Sequence, residues 1–232
     1  MDKKFKSFIQ SKNYKVGFTG RTVYVYDKND KELATFKDLT YAYNGVVSPN
    51  EKLLVIKSED GRMAVYSLES LQLIKKFRFS KVDGAQDHNF IFSADGKYLF
   101  NIENHIDSTK TALSIYNTQD FSLYKRILQQ DDIVLDFIEY DKTLNEYFIL
   151  GFFRDLAKKQ STKNFVAKLV EDNLQEIKFI SQATYFKYAF AKIVEFSGFT
   201  QMAYDFTIPF KTISLKELSN MDLSLSSLWK EN

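Results

Sequence analysis

The chain contains two histidines, His88 and His105, and carboxylates lie close to both, at Asp87, Glu103 and Asp107. Imidazole and carboxylate groups bind divalent metals and exchange protons near neutral pH, so this set could form a metal centre or an acid/base cluster. Two solvated loop histidines would give the same sequence. We adopt this simpler interpretation and expect no metal site and no cofactor.

A second candidate group is basic. Residues 154–163 contain Arg154, Lys158, Lys159 and Lys163, separated mainly by small or polar residues. Such a cluster could engage an acidic partner or a phosphate group. A flexible connection kept soluble by its charge would look the same in the sequence.

No catalytic motif accompanies these groups. The sequence lacks a Gly-x-Ser-x-Gly elbow, a phosphate-binding glycine loop, a His-Glu-x-x-His pair and a dinucleotide fingerprint. The absence of cysteine excludes disulfides and thiolate chemistry. A hydrolase or lyase acting on a sugar or a phosphorylated metabolite stays open as an alternative, with Asp87, Asp136 and Glu139 as its nearest carboxylates, because glycoside hydrolysis needs two carboxyl groups at a set separation.

The composition favours strands. The 232 residues are 44% hydrophobic and include 22 Phe and 14 Tyr, and aromatic residues fit the pleated surface of a sheet. We interpret them as packing residues rather than as a stacking platform for bases or sugars. A formal net charge of +2 gives no reason to expect nucleic acid, and no apolar run is long enough for a signal peptide or a membrane span. The expectation is a cytoplasmic, monomeric protein that does not bind membranes.

Short hairpins recur along the chain. A Ser-x-Asn/Asp-x-Lys turn, or a close variant of it, lies between apolar runs at residues 8–16, 46–54 and 90–100, and residues 137–150 keep the apolar flanks around a longer turn. A period-two element follows each hairpin, at residues 23–27, 63–67 and 113–117 and in weaker form at 165–169 and 212–216. Tyr26, Tyr66 and Tyr116 occupy matching places, and another short strand follows most copies.

Four short strands in each unit, repeated every 40 to 50 residues or so, are typical of propeller blades. We therefore predict an all-β fold: a single small β-propeller domain of about five four-stranded blades, with a β-sandwich or an open barrel as the alternative. Helical turns are expected only at residues 154–163 and 215–228. The predicted units are residues 1–39, 40–81, 82–132, 133–181 and 182–232.

The second unit resembles the WD-repeat and related bacterial propeller families of the YVTN type. Residues 48–52, Ser-Pro-Asn-Glu-Lys, stand where those families place Ser-Pro-Asp-Gly-Lys, and residues 58–66 match their Ser-x-Asp-Gly-x-apolar-x-Val-Trp stretch. The resemblance implies that Asp60 holds the turn before the third strand and that Tyr66 replaces the tryptophan. The Trp-Asp and Gly-His pairs are absent, and the resemblance extends over about the first 150 residues.

In such a propeller, the loop that leads into a blade shares a face with the connection between its second and third strands. His88, His105 and the long connections expected at residues 101–112 and 151–164 would then lie on one face, where repeat proteins usually place insertions for binding. We predict a non-catalytic interaction module, with a bacterial immunity or antitoxin protein as a further alternative. The predicted partner-binding residues are Asp87, His88, His105, Asp107, Arg154, Lys158, Lys159 and Lys163.

Overall fold

The computed structural model describes residues 5–80, 88–104, 110–158, 160–186, 188–189 and 214–220. Sixteen strands in these ranges form four antiparallel sheets of four strands, each with its strands in chain order. The first two sheets contain β1 (Ser7–Gln10), β2 (Tyr14–Phe18), β3 (Val23–Asp27), β4 (Glu32–Phe36), β5 (Ala42–Val47), β6 (Leu53–Ser58), β7 (Arg62–Ser67) and β8 (Leu73–Arg78). The third and fourth contain β9 (Phe90–Phe92), β10 (Tyr98–Asn104), β11 (Thr111–Asn117), β12 (Leu123–Ile127), β13 (Ile133–Asp141), β14 (Glu146–Asp155), β15 (Gln160–Val170) and β16 (Asn173–Ile180).

The turns between first and second strands repeat in atomic detail. The Ser48 hydroxyl donates to Asn50 Oδ1 at 2.7 Å and accepts the Leu53 amide at 2.9 Å. Ser93 makes the same two contacts, with Asp95 Oδ1 at 2.7 Å and with the Tyr98 amide at 2.9 Å. A serine that bonds both sides of the turn sets the register of the hairpin, which explains the repeated Ser-x-Asn/Asp-x-Lys pattern.

The matching tyrosines also have a structural reason. The pairing of third and fourth strands shifts register next to Tyr26, Tyr66 and Tyr116 in turn, so each blade-like unit carries a bulge at the same place. Tyr66 is buried, stacks on the Phe36 ring at 3.9 Å and donates to Asp38 Oδ2 at 2.8 Å. Burial and the neighbouring Asp38 carboxylate raise the pKa of Tyr66 above its usual value.

The turn before β7 has a different arrangement from the one that the family resemblance implies. The Gly61 amide closes it by donating to the Ser58 carbonyl at 3.2 Å. The Asp60 carboxylate instead accepts from Arg62 Nε at 3.0 Å, and Arg62 also reaches the Thr40 hydroxyl at 3.0 Å. Asp60 therefore stabilises this region through its contact with the guanidinium group of Arg62.

Successive sheets pack face to face and bury a group of apolar side chains at each contact. These groups include Phe18 and Leu54 between the first and second sheets, Val65 and Phe90 between the second and third, and Leu113 and Leu135 between the third and fourth. The other side of the fourth sheet packs against residues from the C-terminal part of the chain. Phe148 and Val166 lie there against Leu215 and Leu218, which are fully buried.

The last predicted unit differs from the expectation. Within residues 182–232, the described residues 182–186 and 188–189 are helical, and so is α1 (Leu215–Asn220). The strand expected at residues 212–216 is therefore wrong at residues 214–216, while residues 212 and 213 lie outside the described part. The helical turn expected at residues 215–228 is confirmed over residues 215–220. A capping box explains the helix: the Glu217 amide donates to the Ser214 hydroxyl at 3.1 Å, and the Ser214 amide donates to Glu217 Oε2 at 2.8 Å.

Candidate functional site

The described partner-binding candidates lie on the face where the second strand of each sheet connects to the third, which we call the upper face. Because the strands are antiparallel, the segment that leads into each sheet reaches this same face. In the second sheet, for example, the Glu59 amide donates to the Tyr41 carbonyl at 3.1 Å. We call the opposite side, with the serine turns, the lower face.

His88 lies on the upper face, between the third and fourth sheets. Its Nδ1 is 3.1 Å from Asp136 Oδ1, its Nε2 is 3.2 Å from Asn104 Oδ1, and its side chain is 14% exposed. Asp136 also accepts the hydroxyl group of Tyr185. Both ring nitrogens therefore have partners, and the imidazole joins two sheets and the C-terminal helical segment.

A bulge in β13 presents Asp136 to His88. The pairing of β13 with β14 shifts register between Leu135 and Phe137, which places Asp136 at the irregularity. The side chain of Asn89 fixes the strand beyond the bulge, since it accepts the Ile138 amide at 2.7 Å and donates to the Ile138 carbonyl at 2.9 Å. The contact thus depends on an inter-sheet bond that no local sequence pattern encodes.

Lys57 supports the same region from the second sheet and was missed by the sequence analysis. It is almost fully buried, and its Nζ donates to the carbonyls of His88 and Ile102, both at 2.7 Å. The ammonium group also lies 5.2 Å from the ring centre of Phe79 and 5.7 Å from that of Phe90. The sequence did contain a signal for this role: Lys57 directly follows the apolar residues 53–56. A lysine buried with such a strand needs several hydrogen-bond acceptors.

Glu103, which the sequence places beside His105, points into the third sheet. It is 1% exposed, and its Oε1 accepts Ser114 Oγ at 2.6 Å and Arg126 Nη2 at 2.8 Å. Its Oε2 accepts Asn101 Nδ2 at 3.0 Å. Burial and the Glu103 charge raise the pKa of Tyr116. Glu103 is therefore part of the core of this sheet, and it does not contribute to the histidine cluster weighed from the sequence.

The carboxylates considered for a hydrolase are likewise engaged. Asp136 accepts from His88 and Tyr185, as described above. Glu139 accepts the Tyr188 hydroxyl, and it accepts the Leu215 amide at 3.2 Å. Asp87 lies outside the described residues. Both described carboxylates thus hold the C-terminal helical segments against β13.

The predicted partner-binding residues fall into two groups. Asp87, His105, Asp107 and Lys159 lie outside the described residues. The other four are His88, Arg154, Lys158 and Lys163, and all except His88 lie on the hairpin that β14 and β15 form at the upper face.

The connections of that face are shorter than expected. Residues 151–155 and 160–164 are paired strands, with Asp155 opposite Gln160, so the loop expected at residues 151–164 and the helical turn expected at 154–163 are both wrong. Aromatic residues favour this extension of the sheet, since they suit paired strands. In the third sheet, β10 runs to Asn104 and β11 begins at Thr111, so much of the connection expected at residues 101–112 is also strand.

A cavity opens at the upper end of the fourth sheet, where β15 begins and β16 ends. Its volume is about 390 Å³, and its lining residues are Thr162, Lys163, Asn164, Phe179, Ile180 and Gln182. Phe179 is 51% exposed, and Lys163 Nζ lies 4.9 Å from the centre of its ring. The Asn164 carboxamide also lines the cavity and forms no hydrogen bond with any residue that the structure describes.

Adding zinc should leave the melting temperature of the protein unchanged. A metal that binds only the folded state raises this temperature, but His88 already uses both ring nitrogens. Among the described residues, no group of three or more His, Cys, Asp or Glu side chains could hold a metal ion. Thermal melts with zinc and with a chelator check this. A zinc-dependent rise that His88→Ala abolishes would contradict the expectation.

Comparisons with known proteins concern the whole arrangement of sheets. No family model matches the chain, and no curated protein does. Among solved structures, hydrazine synthase from Kuenenia stuttgartiensis is similar, with 13% identity and a TM-score of 0.58 over 76% of this chain and 51% of that chain. The WD40 domain of Toxoplasma gondii coronin is 13% identical, with a TM-score of 0.53 over 73% of this chain and 43% of that chain. The chain has a β-propeller fold.

Another structure with a similar fold is the dihydro-heme d1 dehydrogenase NirN in complex with DHE, at 16% identity and a TM-score of 0.51 over 78% of this chain and 36% of that chain. The chain thus spans about half, or less, of the length of these solved chains. The similarities concern the fold, and the propeller scaffold hosts many unrelated functions. Within the described ranges, no helix has the length and apolar character needed to cross a membrane.

Proposed function

We propose that this propeller is a non-catalytic interaction module, which binds a protein partner through the upper face of its fourth blade. The proposal includes the cytoplasmic location and the monomeric state expected from the sequence. A toxin bound by an immunity or antitoxin protein would be one partner of this kind.

One contrast carries the proposal. The groups that could do chemistry, His88, Asp136 and Glu139, form hydrogen bonds that join blades and helical segments. The side chains of Lys163 and Asn164, at the cavity, form no hydrogen bond or ion pair with the described residues. Polar groups without partners beside an exposed aromatic ring suit a binding surface, because a partner would supply the missing contacts.

The hairpin next to the cavity adds an exposed contact area. Its turn is held by Asp155, whose Oδ1 accepts the amides of Ala157 and Lys158 at 3.0 and 3.1 Å. Leu156 is 51% exposed and the Lys158 side chain 74%. A rigid turn that displays an apolar and a basic side chain can contact a partner with little loss of conformational entropy.

A photo-crosslinking residue in place of Leu156 should capture one discrete partner when the protein is expressed in its own organism. The matched control replaces Leu144, a 45% exposed leucine in the lower-face turn of the same blade. With the purified partner, Lys158→Glu should slow association, and more so at low salt, because a charge at an interface rim steers encounter. A partner captured from position 144 and not from 156 would move the site to the lower face.

A further inference from the structure

We propose that the cavity of the fourth blade binds an acidic peptide segment, with a carboxylate at Lys163 and an adjacent apolar side chain against Phe179. This inference rests on the proposed interaction function and specifies the chemistry of the partner. Three features of the cavity carry it: the charge of Lys163, the carboxamide of Asn164 and the phenylalanine floor.

The charge comes from Lys163, whose ammonium group forms no ion pair with any described residue and lies over the Phe179 ring at 4.9 Å. Charge-assisted hydrogen bonds are among the stronger polar contacts in proteins. Among the described residues, the lining contains this single cationic side chain and no carboxylate. A single ammonium group matches a single carboxylate, whereas phosphate sites usually gather several basic groups or a cluster of backbone amides.

The carboxamide of Asn164 indicates a peptide. The Asn164 side chain lines the cavity and forms no hydrogen bond with the described residues, so it is available to a ligand. A carboxamide both donates and accepts, as a peptide group does, so it can bond the backbone of an extended segment. Gln182, on the rim of the cavity, offers a second carboxamide that makes no hydrogen bond to the described residues.

The apolar part is a row of phenylalanine rings. The Phe153 ring centre lies 5.2 Å from that of Phe165 and 5.9 Å from that of Phe179. Phe165 is buried and Phe179 is half exposed, so the row leads from the core to the cavity. With a volume of about 390 Å³, the cavity can take one large side chain together with a carboxylate.

The test is selection of peptides from an immobilised random pentapeptide library by the full chain. Enriched sequences should combine Asp or Glu with an aromatic or branched apolar residue. For the best peptide, resynthesised, Lys163→Glu should weaken binding about tenfold or more, as expected for a lost charge-assisted contact. Asn164→Asp, which keeps the shape but repels a carboxylate, should have a similar effect.

Lys142→Glu is the matched control, because it makes the same charge change at an exposed lower-face position of the same blade. It should leave the affinity within about twofold, as expected for a surface charge remote from the site. Unchanged melting temperatures would show that each variant is folded. Enrichment of basic or neutral peptides, or binding that ignores Lys163→Glu and Asn164→Asp, would overturn this inference. The proposed function would survive that result if position 156 still crosslinks its partner, and would fall with it only if position 156 fails as well.

Discussion

Replacing Arg126 by alanine should lower the free energy of unfolding by about 3 kcal/mol or more, because the Glu103 carboxylate would stay buried without its counter-charge. Arg126 contributes two hydrogen bonds to Glu103 Oε1, from Nε at 3.0 Å and from Nη2 at 2.8 Å. The Glu103 side chain is 2% exposed, so its carboxylate depends on protein partners rather than on water. Urea denaturation of the purified variants measures the difference.

The matched control changes both partners. Glu103→Gln with Arg126→Met removes the two charges together, so the double variant should be more stable than Arg126→Ala alone. Tyr116→Phe should cost less than either, since the Tyr116 hydroxyl lies 3.3 Å from Glu103 and makes a weak contact. A loss below about 1 kcal/mol for Arg126→Ala would mean that the pair contributes no more than an exposed salt bridge.

The parts of the fold that could be predicted are those encoded locally. The Ser48 and Ser93 hydroxyl groups form hydrogen bonds across their own turns. Tyr66 and Tyr116 each lie beside a bulge, at equivalent positions of neighbouring blades. Each feature spans a few residues, so its spacing appears in the sequence. The capping box of α1 was equally local, but the strand predicted at residues 212–216 placed Ser214 within a strand and overlooked its role as a helix cap.

The candidate site depends on contacts between distant residues. His88 meets Asp136 only because the third and fourth blades pack together and β13 has a bulge. Lys57 reaches the His88 carbonyl from another blade. The cavity likewise combines residues of β15 with Phe179 at the end of β16. A pattern along one strand cannot reveal which side chains of two blades face each other, or which of them remain without a partner.

Gly151 tests whether the bulge in β13 is as constrained as its contacts imply. A Cβ atom built at this position would lie 2.2 Å from the Val134 carbonyl oxygen and 3.0 Å from the Phe165 ring. The first of these neighbours is backbone, so the strand itself would have to move. Gly151→Ala should therefore lower the free energy of unfolding by about 3 kcal/mol, the upper range for an overpacked interior site.

Gly96→Ala provides the matched control for Gly151→Ala. Its backbone φ of +71° favours glycine, but the nearest atom to an added Cβ, on Pro49, is 3.7 Å away. The cost there is conformational and should be about 1 kcal/mol. In urea denaturation, Gly151→Ala should thus have a clearly lower free energy of unfolding than Gly96→Ala. Equal losses of this free energy in the two variants would show that β13 adjusts freely.

The same substitution also tests the link between the fourth blade and His88. Gly151 pairs with Leu135, next to the bulge that presents Asp136, so a displaced Val134 carbonyl should shift Asp136 relative to the imidazole. The imidazole resonances of His88 in NMR spectra should then move in Gly151→Ala and stay in place in Gly96→Ala. Unchanged His88 resonances in a destabilised Gly151→Ala variant would show that Asn89, rather than the bulge, sets the position of Asp136, since Asn89 holds the strand at Ile138.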